Sequence, residues 1–228
     1  MVTILQIETA TPVCSAALSV DGQTIALKEL AAQNIHAGSL TLFIEEVMKM
    51  AGIAYADLDA VAVSSGPGSY TGLRIGVSTA KGICFAVDKP LIGISTLRMM
   101  AKGFLTANAD YTGLVCPMID ARRMEVFTGL YDTSLQEVLP VTAKIIDESS
   151  YQEELAAHQI TFIGDGALKC SESILSANAQ FSGVNYNSAA NMSLLAFEAF
   201  KAAHFEDVAY FEPYYLKDFV ITAAKKKV

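Results

Sequence analysis

The chain opens with the clustered β-branched and apolar pattern of strands. Val2 to Glu8 is one such run and Cys14 to Val20 a second, separated by the turn-rich stretch TATPV. Asp21 and Gly22 suit a two-residue hairpin turn that needs φ > 0, so Gln23 to Leu30 is predicted to return as a third strand. The period then changes. Leu40, Phe43, Ile44, Val47, Met48 and Ala51 fall on one face of a helix that starts near His36 and ends at Gly52. A short strand, Ala60 to Ser64, runs into SSGPGSYTGLRIG, and helical spacing resumes from Thr71 to Val87. Pro90 introduces a strand, Leu91 to Ile94, and then a helix, Ser95 to Leu105.

Weaker patterning predicts the same order again. Leu114 to Ile119, Glu125 to Tyr131 and Glu137 to Thr142 read as strands, Asp147 to His158 as a helix, Ile160 to Ile163 as a strand and Leu168 to Leu175 as a helix. Both halves are therefore expected to run βββαβα. The expected division is a first lobe over residues 1–108, a second over 109–187, and a C-terminal helix (Ser188 to Ala203) and tail, 188–228, packing back on the first. Tyr210, Phe211, Tyr214 and Tyr215 around Pro213 form either an ordered strap or a contact patch.

The glycine-rich stretch has two readings. It is a phosphate cradle, because glycine admits close approach and helix N-termini favour anions, or a tight strand-to-helix turn whose glycines let the helix pack. A full phosphate loop would carry Lys and then Ser or Thr at the helix start, where this chain has Thr71, Gly72, Leu73 and Arg74. The helix that follows is apolar nearly all round: Leu73, Gly76, Val77, Ala80, Ile83, Cys84 and Val87 form one face, and Ile75, Ser78, Thr79, Gly82, Phe85 and Ala86 the other. A sheet covers one face only, so the second is expected to meet another lobe or a partner.

At 228 residues and 52% hydrophobic, the chain is long enough for a large core. Its net charge of -8 argues against gripping nucleic acid unaided, and Lys225 to Lys227 read as a solvated tail. No apolar window of about 18 residues lacks charge and MVTILQIETA lacks a signal pattern, so a soluble cytoplasmic protein with no membrane contact is expected. The four cysteines lie far apart in apolar runs and read as buried free thiols.

Four stretches are more specific. IETATPVCSAAL, GPGSYTGLRIGVSTAKGI, IDARRMEVF and EPYYLKD, spread between residues 7 and 218, resemble the bacterial TsaB (YeaZ) family. That family belongs with TsaD (Kae1, Gcp) among proteins once called glycoprotease-like, or peptidase M22-like. The resemblance implies an α/β, ribonuclease H-like fold of the actin, hexokinase and Hsp70 type, with nucleotide between the lobes. It also implies a non-catalytic subunit in making threonylcarbamoyladenosine next to the anticodon of tRNAs reading codons that begin with A. TsaD would be the transferase partner and TsaE a further partner; the chain would form a homodimer when alone and meet tRNA only through the complex.

The residues bear on that role. Over the TsaD pattern, Thr96 and Met100 fall where the family's two metal-binding histidines stand, and His36, His158 and His204 are not spaced as ligands, so no metal site is expected. Glu8 stands where the ATPases usually place Asp; it is either a ligand-facing carboxylate or a polar strand end, and Asp120, followed by Arg122 and Arg123, has the same two readings. Partner binding is assigned to His36, Phe43, Val47, Ile75, Ser78, Thr79, Gly82 and Phe85 on the two first-lobe helices. A vestigial nucleotide loop is assigned to Glu8, Thr9, Ser65, Gly66, Gly68 and Ser69. The chain is expected to hold no cofactor of its own, with ATP or ADP and Mg²⁺ at the partner interface; the alternative is a weak ATP or GTP hydrolase, or a metallopeptidase.

Overall fold

Strand alternation explains how the first sheet buries both faces. The computed structural model describes residues 1–32 and 35–217. Its first sheet comprises β1 (Thr3–Glu8), β2 (Val13–Val20), β3 (Gln23–Ala31), β4 (Ala60–Gly66) and β5 (Leu91–Ser95), in the order β3-β2-β1-β4-β5. Leu5, Ile7, Val61, Val63 and Leu91 point to one side, where α1 (His36–Ala51) and α2 (Tyr70–Val87) cover them. Ile4, Ala60, Ala62, Ile92 and Ile94 point to the other, against α3 (Thr96–Ala107) and α5 (Ser193–Lys201). The period-two pattern thus sends neighbouring residues into different cores.

The second sheet repeats the order with β6 (Leu114–Asp120), β7 (Glu125–Tyr131), β8 (Glu137–Ile145), β9 (Ile160–Ile163) and β10 (Ala179–Ser182), arranged β10-β9-β6-β7-β8. In both sheets the first three strands are antiparallel and the last two add in parallel, which defines the ribonuclease H-like, actin-type fold. The lobes share a core. α3 presents Leu97, Met100 and Phe104 to a cluster that contains Ile4 and Ile92 of the first sheet and Val115, Ile119 and Ile163 of the second.

The boundaries depart from expectation where side chains compete for the backbone. Residues 147–158 give only a short α4 (Gln152–Ala157), because Asp147 accepts hydrogen bonds from Ser149 and Ser150 and holds the start as a turn. The helix expected over 168–175 is a single 3₁₀ turn, Leu168–Cys170, after which the Ser171 hydroxyl donates to the Leu168 carbonyl. The second half therefore runs βββαββ, with β10 added as a four-residue strand. The helix expected from Ser188 splits into a 3₁₀ turn, Ala189–Met192, and α5. Gly52 ends α1 in the left-handed conformation, and Asp21 and Gly22 both have positive φ. The four cysteines are free and buried. No helix among the described residues is long and apolar enough to cross a membrane. Lys225 to Lys227, and Asp218 of the EPYYLKD stretch, lie outside the described residues.

Candidate functional site: the glycine loop and its helix

The loop between β4 and α2 is filled by the first hairpin. Built on Gly68, a Cβ would lie 2.5 Å from the Ala10 carbonyl oxygen, and on Gly72 or Gly76 it would overlap Thr9. Three of the amides here are bonded locally: Ser69 N–H donates to Ala10 O at 2.7 Å, Gly72 N–H to Ser69 Oγ at 3.2 Å, and Leu73 N–H to Ser69 O at 2.8 Å. Thr9 Oγ1 donates to Gly72 O at 2.8 Å. The side of each glycine that a side chain would occupy is filled by Thr9 and Ala10, so the observed packing is that of the strand-to-helix turn, in which the glycines let the helix pack against the first hairpin.

From above, the C-terminal segment completes the closure. Tyr214 N–H donates to Ser65 O at 2.7 Å, and a Cβ on Gly66, at φ 111°, would meet the Tyr214 carbonyl oxygen at 2.6 Å. Tyr215 packs on Tyr70 with ring centroids 4.8 Å apart and accepts a hydrogen bond from Arg74 at 3.3 Å. Lys81 donates to the carbonyls of Ala209 and Phe211. The aromatic cluster is therefore an ordered strap along α2.

Glu8 is the group that alternation turns inward. Gln6 and Glu8 share the face that looks toward α3 and the second lobe, and Ser64 at the end of β4 lies on the same face. Glu8 is fully buried, and its Oε1 accepts the Ala10 N–H at 2.5 Å. Ser64 and Asn187 are also buried, and their side chains and Glu8 Oε2 make no full hydrogen bond. Burial pushes the Glu8 carboxyl up to about 7, opposed by the Ala10 amide and by Ser64, Asn187 and Thr9. Nothing in the local sequence pointed to Asn187. It arrives on a segment pinned to the first sheet by Ala189 N–H donating to Ser15 Oγ and Ser188 Oγ donating to Glu29. Thr96 and Met100 are buried core residues of α3, and among the described residues no group of three or more His, Cys, Asp or Glu could hold a metal.

The expected partner residues divide by depth. Val47 is fully buried in the first core and Phe43 and His36 are buried beside it, so these three support α1 from beneath and offer no outer surface. Burial also lowers the His36 pKa, against a hydrogen bond with the Thr11 backbone that raises it. Ile75 and Thr79 are half-buried, while Ser78, Gly82 and Phe85 are exposed. The second lobe does not cover this face. Phe85 is 86% exposed, and a Cβ on Gly82 would meet nothing within 4 Å. Leu42 and Met50 on α1 are exposed as well, and the helical periodicity did not single them out.

Fold and site together define an actin-type domain whose glycine loop is packed against the first hairpin and whose second helix is left open. The model of the family described as TsaD, tRNA N6-adenosine threonylcarbamoyltransferase, matches residues 29–227, and the chain belongs to that family. Within it, the chain resembles TsaB (YeaZ) members and, over shorter or comparable stretches, the transferases themselves. The chain is 38% identical over 128 residues to the tRNA threonylcarbamoyladenosine biosynthesis protein TsaB of Escherichia coli, covering 56% of this chain and 54% of that one. It is 33% identical over 141 residues to TsaB of Bacillus subtilis, covering 60% of each. The chain thus spans about half the length of the curated relatives it matches. The solved structure of YeaZ from Pseudomonas aeruginosa superposes with a TM-score of 0.83 at 25% identity, over 95% of this chain and all of that one.

Proposed function

We propose that this chain is a non-catalytic partner subunit in making N6-threonylcarbamoyladenosine beside the tRNA anticodon, docking through the outer face of α1 and α2 onto the TsaD transferase, with TsaE joining the assembly. On this reading, residues 1–108 form the docking lobe, 109–187 a second lobe and 188–228 its clasp, and a homodimer uses the same face when the transferase is absent. The names carried by its relatives, tRNA threonylcarbamoyladenosine biosynthesis protein and threonylcarbamoyltransferase, support the pathway. The observation that carries the docking role is the open half of α2, where Ser78 and Gly82 permit close helix approach beside an exposed Phe85. ATP or ADP with Mg²⁺ would then be held by the assembly, not by this loop.

The test is size-exclusion chromatography with light scattering on the chain, alone and mixed with the transferase of the same organism. A mixed species should replace the homo-oligomer. Gly82→Arg, at a position where the fold has space, should abolish both associations while the monomer stays folded, with an unchanged far-ultraviolet circular dichroism spectrum. A variant that still associates at wild-type affinity places the interface elsewhere.

A further inference from the structure

The connection between β6 and β7 holds two consecutive arginines in a conformation that L-residues seldom adopt. Arg122 has φ 72° and Arg123 φ 52°, and both are exposed. Three interactions hold them so: Asp120 Oδ1 accepts the Arg122 N–H at 2.8 Å, Glu125 N–H donates to Arg122 O at 3.2 Å, and Lys169 Nζ donates to Arg123 O at 2.7 Å. The neighbouring acids are already engaged. Lys169 pairs with Asp120, Lys217 pairs with Glu125, and Asp165 accepts the Asp120 N–H. Among the described residues, neither Arg122 nor Arg123 makes an ion pair. A tip that displays two guanidinium groups with no ion pair among the described residues, at a conformational cost, is suited to meet anions.

The strap makes this tip continuous with a stacking site. Two residues before Lys217, Tyr215 packs on Tyr70, and the Arg74 guanidinium lies 4.3 Å from the Tyr70 ring centroid. A cavity of about 280 Å³ opens there, lined by Arg74, Ser78, Lys81, Phe211, Glu212 and Tyr215 among others, so that it borders the docking face at Ser78. Tyr210 and Tyr214 are 84% and 51% exposed along the same strap. Across this band six cations stand against five carboxylates, Asp120, Glu125, Asp165, Asp207 and Glu212, in a chain whose totals are 16 Lys and Arg against 24 Asp and Glu. Guanidinium groups for phosphates beside aromatic rings for unstacked bases are the combination that single-stranded or looped RNA requires.

We infer that this band, from Arg74 and Tyr215 along the strap to Arg122 and Arg123, is the chain's RNA-contact surface. It binds phosphates at the arginine tip and an unstacked base at the tyrosine end. That the RNA is tRNA rests on the function proposed above. The band inverts the local charge of an acidic protein, so its contribution is expressed within the assembly, where a partner supplies further contacts.

The experiment measures binding of a fluorescently labelled tRNA transcript to the complex with the transferase by anisotropy, at salt concentrations between roughly 50 and 200 mM. The test variant is Arg122→Gly/Arg123→Gly, because glycine suits positive φ and the connection keeps its shape. The variant should weaken binding about tenfold or more at low salt and reduce the slope of log affinity against log salt by about 2. Arg122→Lys/Arg123→Lys should retain the slope. Unchanged affinity and slope in an intact complex overturn the proposal, as does loss of the complex itself with the variant, which would make the tip a protein contact. If the wild-type complex fails to form, the partner reading falls separately. The same titration of the isolated chain at low salt then decides the RNA surface: a slope lowered by about 2 in the variant supports it, and no binding or an unchanged slope overturns it.

Discussion

Thr9 closes over Gly72: its hydroxyl donates to the Gly72 carbonyl at 2.8 Å, and its own carbonyl occupies the space a side chain at residue 72 would need. The first β-turn and the second helix are therefore one packed unit, which is why the helix needs glycine at residue 72.

Two glycines of the same helix should respond in opposite directions to the same change. Gly72→Ala drives a methyl group into the Thr9 backbone, and despite better helix propensity it should cost about 1–3 kcal/mol. Gly82→Ala meets nothing and should stabilise the monomer by about 0.5–1 kcal/mol. Urea unfolding, compared at equal slope, checks both. Equal effects at the two positions would mean that the loop does not pack as described.

Glu8 should make stability fall as pH rises. Its carboxyl is near 4.5 when unfolded and is pushed up to about 7 when folded, so the folded state binds the extra proton between those values. Stability is then greatest below about pH 4.5, declines through the window to pH 7 and is flat above it, a total of up to about 3 kcal/mol. Glu8→Gln removes the titration. The wild-type curve minus the variant curve should show that decline, and a flat difference would refute the assignment.

Lys169→Met should loosen the arginine connection without unfolding the second lobe. The substitution takes a donor from the Arg123 and Glu125 carbonyls and the cation from Asp120. Because Asp120 is about half exposed, the cost should be only about 1 kcal/mol. Amide hydrogen exchange should quicken at Arg122 and Glu125 and stay slow at Val126, which is fully buried.

The parts of the fold legible in the sequence were those governed by local rules. Gly52 at the end of α1, Asp21 and Gly22 in the hairpin and the apolar face of α2 each follow from neighbours a few residues away. The helices that the spacing predicts over 147–158 and 168–175 are cut short because aspartate and serine side chains bind the backbone and pre-empt helical hydrogen bonds. Of the site, the sequence showed the glycines but not what fills the space above them. The Ala10 carbonyl at Gly68 and the Tyr214 carbonyl at Gly66 are supplied from elsewhere in the chain. Likewise, the apolar spacing that marked Val47 and Phe43 identifies a buried face and cannot distinguish a core from an interface.

Because α3 is buried between the two sheets, the seam along which a two-lobed enzyme of this architecture would hinge is occupied by side chains of both halves. Opening it would mean parting Leu97, Met100 and Phe104 from one sheet or the other and exposing apolar area with nothing to replace the lost contacts. The molecule should therefore move as one piece, so that a displacement imposed at the outer face of α2 is carried across the body to the arginine tip of the far lobe.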